Sequence, residues 1–455
     1  MANIQDQQTN LLNLEATRTL RVAVVGNVDS GKSTLIGVLT HCTLDDGNGY
    51  SRRLITKCKH ELETGRTSTI STHLMGFDDN GRALTIPRSH VRYPESFLGA
   101  NASRIVALTD LAGHEKYFRT TTTGLSQGML DYALVLVSAT QPPTHMTIHH
   151  LNLCVLYNVP VVIVVTKTDS APKDVLKHTT KKIGQVIREA TNGKIAFEVR
   201  NLKDAGLVQN KIHSLVPVVK VSSVTGDNLG TLRQLLYSLP RRRRHENKLH
   251  RDPEFLVESV FNVQGVGTVL SGFVNAGEFQ KGGTVYVGPT RNGGYIKTII
   301  KTIHVMQTLV DHVYAGHAAC VAVTLSKQER KTLVRHRMYV FDKPIEPTKT
   351  FVADIILTKG SPVTITKGKF AIQMHILHQR PTCRLVDFES LNGRQVLIDE
   401  HTDGDAEIVL RPGQRARAMF RLIHGTYYVR PGMRVVLRNG HVRGIGKIVE
   451  TFTES

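Results

Sequence analysis

The chain has 455 residues, room for about three domains of ordinary size. With 58 Lys and Arg against 38 Asp and Glu it carries a formal charge of +20, an excess that favours a polyanionic partner such as nucleic acid through counterion release. No apolar run reaches the ~18 residues of a membrane span, no secretory leader opens the chain, and five scattered cysteines without a CxxC pair give neither a disulfide framework nor a zinc site, so a reducing, cytoplasmic setting with no membrane is expected.

Residues 1–18 read as an N-terminal tail. Then LRVAVV (20–25), RIVALTD (104–110), YALVLV (132–137), VPVVIVVT (159–166) and VPVVKVS (216–222) are near-continuous Val/Ile/Leu runs, as strands of a parallel sheet covered on both faces require. Between them STLIGVLTH, HHLNLCVLYN and NLGTLRQLLYSL carry apolar residues at helical spacing, which completes a βαβ pattern over 19–240. The pattern changes after Pro240. Arg241–Arg244 and the HENKLHRDP that follows read as a basic linker over 241–252, whose arginines either touch RNA or are simply solvated. Short alternating runs with frequent Gly then fill 253–347 and 348–455, with the border near FDKPIEPTKT (341–350), and predict two β-barrels or sandwiches. The expected fold class is thus multidomain: an α/β domain with a mostly parallel sheet over 19–240, followed by two β-barrel domains.

The loops at the strand ends carry the chemistry. Gly26-Asn27-Val28-Asp29-Ser30-Gly31-Lys32-Ser33, continued by Thr34, matches GxxxxGK[ST] between a predicted strand and a predicted helix. Its backbone N–H groups and the helix N-terminus would cradle a polyphosphate, Lys32 would reach the β- and γ-phosphates, and Ser33 would ligate Mg²⁺. Asp110-Leu111-Ala112-Gly113-His114 ends the next strand; Asp110 can hold Mg²⁺ through water and Gly113 can present its N–H to the γ-phosphate. Thr166-Lys167-Thr168-Asp169 supplies a carboxylate, Asp169, that can accept from N1 and N2 of guanine, while adenine offers no such donor pair; the Lys167 stem can pack on the base. Ser222-Ser223-Val224-Thr225-Gly226 offers a backbone N–H to guanine O6. Together the four loops point to GTP/GDP with Mg²⁺. In the long stretch before Asp110, Gly65-Arg66-Thr67-Ser68-Thr69-Ile70 is the candidate sensor of the γ-phosphate, with Thr69 preferred as magnesium ligand and Thr67 as the alternative register.

GNVDSGKST, RTSTI, DLAGHEKY, TKTD and SSVTG resemble the motifs of translational GTPases of the elongation factor Tu class. GVGTVLSG (265–272) resembles the start of that class's second domain, and RPGQRARAMFRLIHG (411–425) with MRVVLRNGHVRGIGKIVE (433–450) the close of its third. KHELETGRTST with DLAGHEKY and TKTD is most similar to the eukaryotic GTP-binding protein one and two group. The resemblance spans nearly the whole chain from residue 19. It implies a hydrophobic gate at Val28, a P-loop residue near the β/γ bridging oxygen at Asp29, and a histidine that orients the attacking water at His114, so that His114, Lys32 and Thr69 form the catalytic set. It implies action with the ribosome and with tRNA or aminoacyl-tRNA in elongation or rescue; a GTP-switched adaptor of RNA surveillance or the RNA-decay machinery is the alternative. Thr166 stands where most such GTPases have Asn, and a Thr lacks the carboxamide that ties the base loop to the P-loop. RTSTI departs from RGITI. The stretches near 41–62 and 78–103 are longer than in elongation factors, with no role legible in them. A selenocysteine-specific elongation factor would be expected to add a further C-terminal domain.

Overall fold

A computed structural model describes residues 18–56, 61, 67, 69–90, 92, 94–114, 121, 124–125, 129–191, 193–242, 245–334, 338–346, 348–357, 365–366, 371–391, 398–399, 407–410, 413–425, 427–439 and 442–453. The tail to residue 17, Gly65, Arg66 and Ser68 of the sensor stretch, Glu115, Lys116 and Tyr117 after the DxxG loop, Arg243 and Arg244 of the arginine run, and Arg411 and Pro412 lie outside them. The chain divides into two compact units, Met1–Arg244 with Met306–Thr308 and His245–Val305 with Leu309–Ser455.

The first unit is built on seven strands: β1 (Thr19–Gly26), β2 (Ser71–Phe77), β3 (Arg104–Asp110), β4 (Tyr132–Ser138), β5 (Val161–Thr166), β6 (Ile195–Glu198) and β7 (Leu215–Lys220). They are ordered β2-β3-β1-β4-β5-β7-β6. Every neighbour pair is parallel except β2–β3. The five apolar runs of the sequence are the five inner strands. Every residue of β4 and β5 is buried, because helices cover both sheet faces. Those helices are α1 (Lys32–His41), α2 (Tyr50–Ile55), α3 (Pro94–Asn101), α4 (His145–Leu156), α5 (Lys173–Ala190), α6 (Leu202–Lys211) and α7 (Leu229–Ser238). Their buried side chains, among them Leu35, Leu39, Val208, Leu232 and Leu236, join Val22, Val24, Leu134, Val162 and Val164 in one core.

The stretch near 78–103 has a structural use. Asp78 Oδ1 accepts from the N–H groups of Asn80 and Arg82, turning the chain back after β2, and Leu98 of α3 then packs over Gly76. The added helix thus covers the edge side of the sheet, where open strands are a liability. Arg242 docks on the same unit: its N–H donates to Asp131 Oδ1 at 2.9 Å and its Nη1 reaches the Asn158 carbonyl at 3.1 Å. This arginine is built into the domain surface rather than solvated.

The second unit holds two antiparallel barrels. The first comprises β8 (Glu254–Val263), β9 (Gly267–Ala276), β10 (Glu278–Gln280), β11 (Thr284–Gly288), β12 (Ile296–Val305), β13 (Thr308–Val310), β14 (His312–Tyr314), β15 (Ala318–Val323) and β16 (Tyr339–Phe341). The order β11-β16-β8-β9-β15-β12 closes through a β11–β12 pairing, and α8 (Lys327–Thr332) bridges β15 to β16 with a Ser326–Glu329 capping box. The second barrel follows, from β17 (Thr350–Leu357) through β18 (Ile365–Thr366), β19 (Ala371–His375), β20 (Thr382–Ser390), β21 (Ile398–Asp399), β22 (Glu407–Leu410), β23 (Arg415–Leu422) and β24 (Arg434–Asn439) to β25 (Val442–Phe452). It closes as β17-β23-β20-β19-β24-β25. Strict alternation is visible in β23, where Ala416, Ala418, Phe420 and Leu422 point inward and Arg415, Arg417 and Arg421 outward. Tyr339 and Phe341 of the first barrel meet Tyr428 of the second at ring separations of 4.9 and 4.8 Å, and Gln379 Nε2 donates to Tyr339 Oη and to the Tyr428 carbonyl.

Candidate functional site

The carboxyl ends of β1, β3, β5 and β7 open on one cavity of about 400 Å³. Its walls include Val28, Asp29, Gly31, Lys32, Ser33 and Thr34 from the first loop, Gly113 and His114 from the second, Thr166, Lys167 and Asp169 from the third, and Ser223 and Val224 from the fourth. Four loops far apart in sequence therefore share one space, at the end of an α/β sheet where ligands characteristically bind.

The first loop takes its path from two unusual backbone positions, Asp29 at φ 59° and Gly31 at φ 80°. Gly26 is required by close approach: a Cβ there would meet the Leu136 carbonyl oxygen at 2.6 Å and Ser30 Oγ at 2.8 Å. Gly113 is required in the same way, since a Cβ would run into Lys32 Nζ and the Gly26 carbonyl. Helix α1 starts at Lys32, so its unpaired N–H groups and dipole face the cavity. Lys32 Nζ donates to the Asn27 carbonyl at 2.7 Å. Burial lowers its pKa to about 8, against the opposing pull of Asp110 and Asp29.

Three oxygens converge beside it. Ser33 Oγ donates to Asp110 Oδ2 at 2.6 Å and lies 3.0 Å from Thr67 Oγ1, which is 3.4 Å from the same carboxylate oxygen. Asp110 is 2% exposed, and its Oδ1 has no hydrogen-bond partner among the described residues. Burial raises its pKa, with Lys32 and Ser33 pulling the other way. An orphaned buried carboxylate oxygen beside two hydroxyls is a set of hard donors, which suits Mg²⁺ and its retained waters. Thr67, the alternative register, is the threonine in this cluster. Thr69 is elsewhere: its N–H and Oγ1 both donate to Glu61 Oε1, at 3.0 and 2.9 Å.

On the opposite side, Asp169 stands with its carboxylate fixed by two serines. Ser222 Oγ donates to Oδ1 at 2.5 Å and Ser170 Oγ to Oδ2 at 2.7 Å; the Ser222 bond in particular holds the acid below the usual carboxylate range. Ser222 is fully buried and its hydroxyl also accepts from the N–H groups of Val224 and Thr225, so it shapes the loop from behind while Ser223 and Val224 face the cavity. Gly26, Asn27 and Ser30 likewise stand behind the lining: Asn27 Oδ1 accepts from the Val28 N–H and Ser30 Oγ donates to the Asn27 carbonyl. The missing carboxamide at Thr166 has a substitute. Thr166 Oγ1 donates to the Ser30 carbonyl at 2.8 Å, tying the base loop to the first loop with a shorter side chain.

One wall lies in the stretch near 41–62 that carried no legible role. Asp45, Gly47, Gly49 and Arg52 line the cavity, with Asp45 N–H donating to the Ser223 carbonyl at 2.9 Å. The available signal was the run Asp45-Asp46-Gly47-Asn48-Gly49, turn composition placed directly after the helix that follows the first loop.

A family model of the elongation factor Tu GTP binding domain matches residues 17–241. GTP-binding protein 1 of Xenopus laevis is 32% identical over 436 residues, an alignment covering 95% of this chain and 63% of that protein. GTP-binding protein 2 of Mus musculus is 32% identical over 439 residues, covering 95% and 69%. The chain thus spans only about two thirds of the length of these relatives. In fold it is similar to translation elongation factor SelB from Methanococcus maripaludis in complex with the GTP analogue GppNHp, at a TM-score of 0.67 and 17% identity, covering 96% of this chain and 80% of that one.

Proposed function

The chain belongs to the translational GTPases of the elongation factor Tu class, within the group of GTP-binding proteins 1 and 2, and from that membership we propose that it binds GTP with Mg²⁺ in the four-loop cavity and hydrolyses it in response to the ribosome while carrying RNA. The observation that carries the nucleotide reading is the convergence of Lys32, Ser33, Thr67 and Asp110 on one side of a single cavity and Asp169 on the other. Backbone N–H groups over 28–34 would hold the phosphates, Asp169 the guanine N1 and N2, and the Lys167 stem the base plane. Mg²⁺, held by Ser33 and Thr67 with Asp110 behind, would supply neutralisation of the β- and γ-phosphate oxygens. His114, at the cavity wall beside Gly113, would orient the attacking water. Phosphoryl transfer asks the protein mainly for such positioning and charge.

Support for an RNA partner comes from the charge of +20 and from the first barrel. There the exposed ring of Phe261 lies in a groove of about 350 Å³ with Lys327, Arg330 and Lys331, an aromatic plane for a base beside cations for phosphate. The neighbour SelB is named a translation elongation factor, which favours elongation or rescue over RNA decay and a cytoplasmic site of action. GTP hydrolysis with and without ribosomes, at two salt concentrations, tests this. Strong stimulation that weakens with salt is the expected result; slow turnover indifferent to ribosomes, with GTP still bound, would move the assignment to a GTP-switched adaptor.

Two substitutions separate the sensor threonines. Thr67→Ala is expected to slow Mg²⁺-dependent hydrolysis by about 10-fold or more and to reduce the preference for GTP over GDP, while Thr69→Ala, which removes a hydroxyl bonded to Glu61, has the smaller effect. The reverse order in single-turnover rates would return the metal to Thr69.

Lys32 predicts a pH dependence. Its pKa of about 8 in the free protein rises when a polyphosphate arrives, so the complex holds more protons than the free partners above that pH. Affinity for GTP is therefore expected to be flat up to about pH 8 and then to fall by up to about 10-fold per pH unit. A calorimetric affinity series across that range that stays level up to pH 9.5 would contradict it.

A further inference from the structure

The cavity has a cation that no sequence motif marks. Arg52, on α2, is half-buried and lines the same space as Lys32, Ser33, Thr67 and Gly113. It resides on a scaffold that leaves its backbone little freedom. Asp45 is 8% exposed and its carboxylate accepts from the N–H groups of Gly47, Gly49 and Ser51, the last at 2.9 Å, which clamps the start of α2 next to Arg52. Helix α2 then seats on α1 where Gly37 leaves room, because a Cβ at 37 would run into the Ser51 carbonyl. The guanidinium is oriented too: Nη2 donates to the Glu61 carbonyl at 2.8 Å, and Glu61 is the residue whose carboxylate holds Thr69. Among the described residues this hydrogen bond takes one of the five guanidinium N–H donors.

We propose that Arg52 is a catalytic residue of the nucleotide site, an arginine supplied in cis that contacts the β/γ-phosphate region of bound GTP from the α2 wall and stabilises the charge that shifts during hydrolysis. The inference rests on the nucleotide reading above. In that reaction the oxygen of one water bonds to the γ-phosphorus and the bond to the β/γ bridging oxygen breaks. The electron pair goes to that bridging oxygen, GDP leaves, and the water's protons end on inorganic phosphate and solvent. The bridging oxygen gains negative charge, and a rigid, delocalised cation beside it is worth more there than in the ground state. Two features of the molecule agree. Among the described residues Lys32 is the other cation lining the cavity from the first loop, and the charge of Arg52 is felt at Lys32, behind the larger effects of burial, Asp110 and Asp29. The tether to Glu61 also couples the arginine to the segment holding Thr67 and Thr69, so that a change there on loss of the γ-phosphate would carry Arg52 with it.

The test uses the full chain with Arg52→Ala, Arg52→Gln and Arg52→Lys. For each, affinities for GDP, for GTP and for GDP with aluminium fluoride are measured beside the single-turnover hydrolysis rate. The expected result is GDP affinity within about threefold of the parent, a hydrolysis rate lower by about 10-fold or more in all three, and a loss of aluminium fluoride binding that parallels the rate. Arg52→Gln keeps the first part of the stem and a polar head without the charge, so an Arg52→Ala variant that melts early leaves the question answerable. Unchanged hydrolysis in Arg52→Gln, or equal losses of GDP and GTP affinity with the rate preserved, would overturn the proposal. A parent chain that binds no guanine nucleotide would instead overturn the nucleotide reading itself.

Discussion

Asp169→Asn is expected to weaken GTP binding by about 3 kcal/mol, roughly 100-fold, and to admit xanthosine triphosphate in its place. The carboxylate is poised to accept two hydrogen bonds from guanine, and acceptors that carry charge contribute about 1.5–3 kcal/mol each. An amide at this position presents N–H toward the base, where guanine presents N–H too. Xanthine has a carbonyl at C2 and can accept it. The fold has little stake in the change, since residue 169 is exposed and an amide oxygen still accepts from Ser222 Oγ, now 2.5 Å away. Competition of labelled GTP by GTP, ATP and xanthosine triphosphate reads the outcome. An Asp169→Asn protein that still prefers GTP would mean the base is read elsewhere, with the Val224 backbone the next place to look.

The second large effect has opposite signs for stability and activity. Asp110→Asn should raise the melting temperature of the nucleotide-free protein and cut Mg²⁺-dependent hydrolysis by about 100-fold or more. Asp110 is a carboxylate almost out of water, with one oxygen unpartnered among the described residues, and burial raises its pKa. A carboxyl whose folded pKa lies above its unfolded value makes the protein less stable as pH climbs from the unfolded pKa through the folded one. The cost grows across that range, and the neutral amide removes it while keeping an oxygen for Ser33 to donate to at the present 2.6 Å. In the reading proposed above this acid serves Mg²⁺, and the amide would abolish that use. Thermal melts with and without Mg²⁺–GTP test both halves together. A variant that melts lower without ligand would show that the charged acid is held by Lys32 more firmly than the burial cost implies.

Much of this protein was decided within short stretches of sequence. The five Val/Ile/Leu runs are the inner strands because only buried parallel strands tolerate apolar residues on both faces, and the alternation in segments such as 415–422 is a barrel wall for the same reason. The loops 26–34, 110–114, 166–169 and 222–226 were legible because each is contiguous and ends a readable strand, and Gly26 and Gly113 mark where a Cβ would not fit. The tertiary structure decided what depends on chain path between distant residues. Thr67 rather than Thr69 meets Ser33 and Asp110, since a register among three successive hydroxyl residues is set by the partner strand and not by the run itself. Thr166 replaces a carboxamide by reaching a carbonyl 136 positions away. Asp45 and Arg52 joined the site only when α2 folded back onto α1, because a turn-rich stretch carries no periodicity from which its destination could be read.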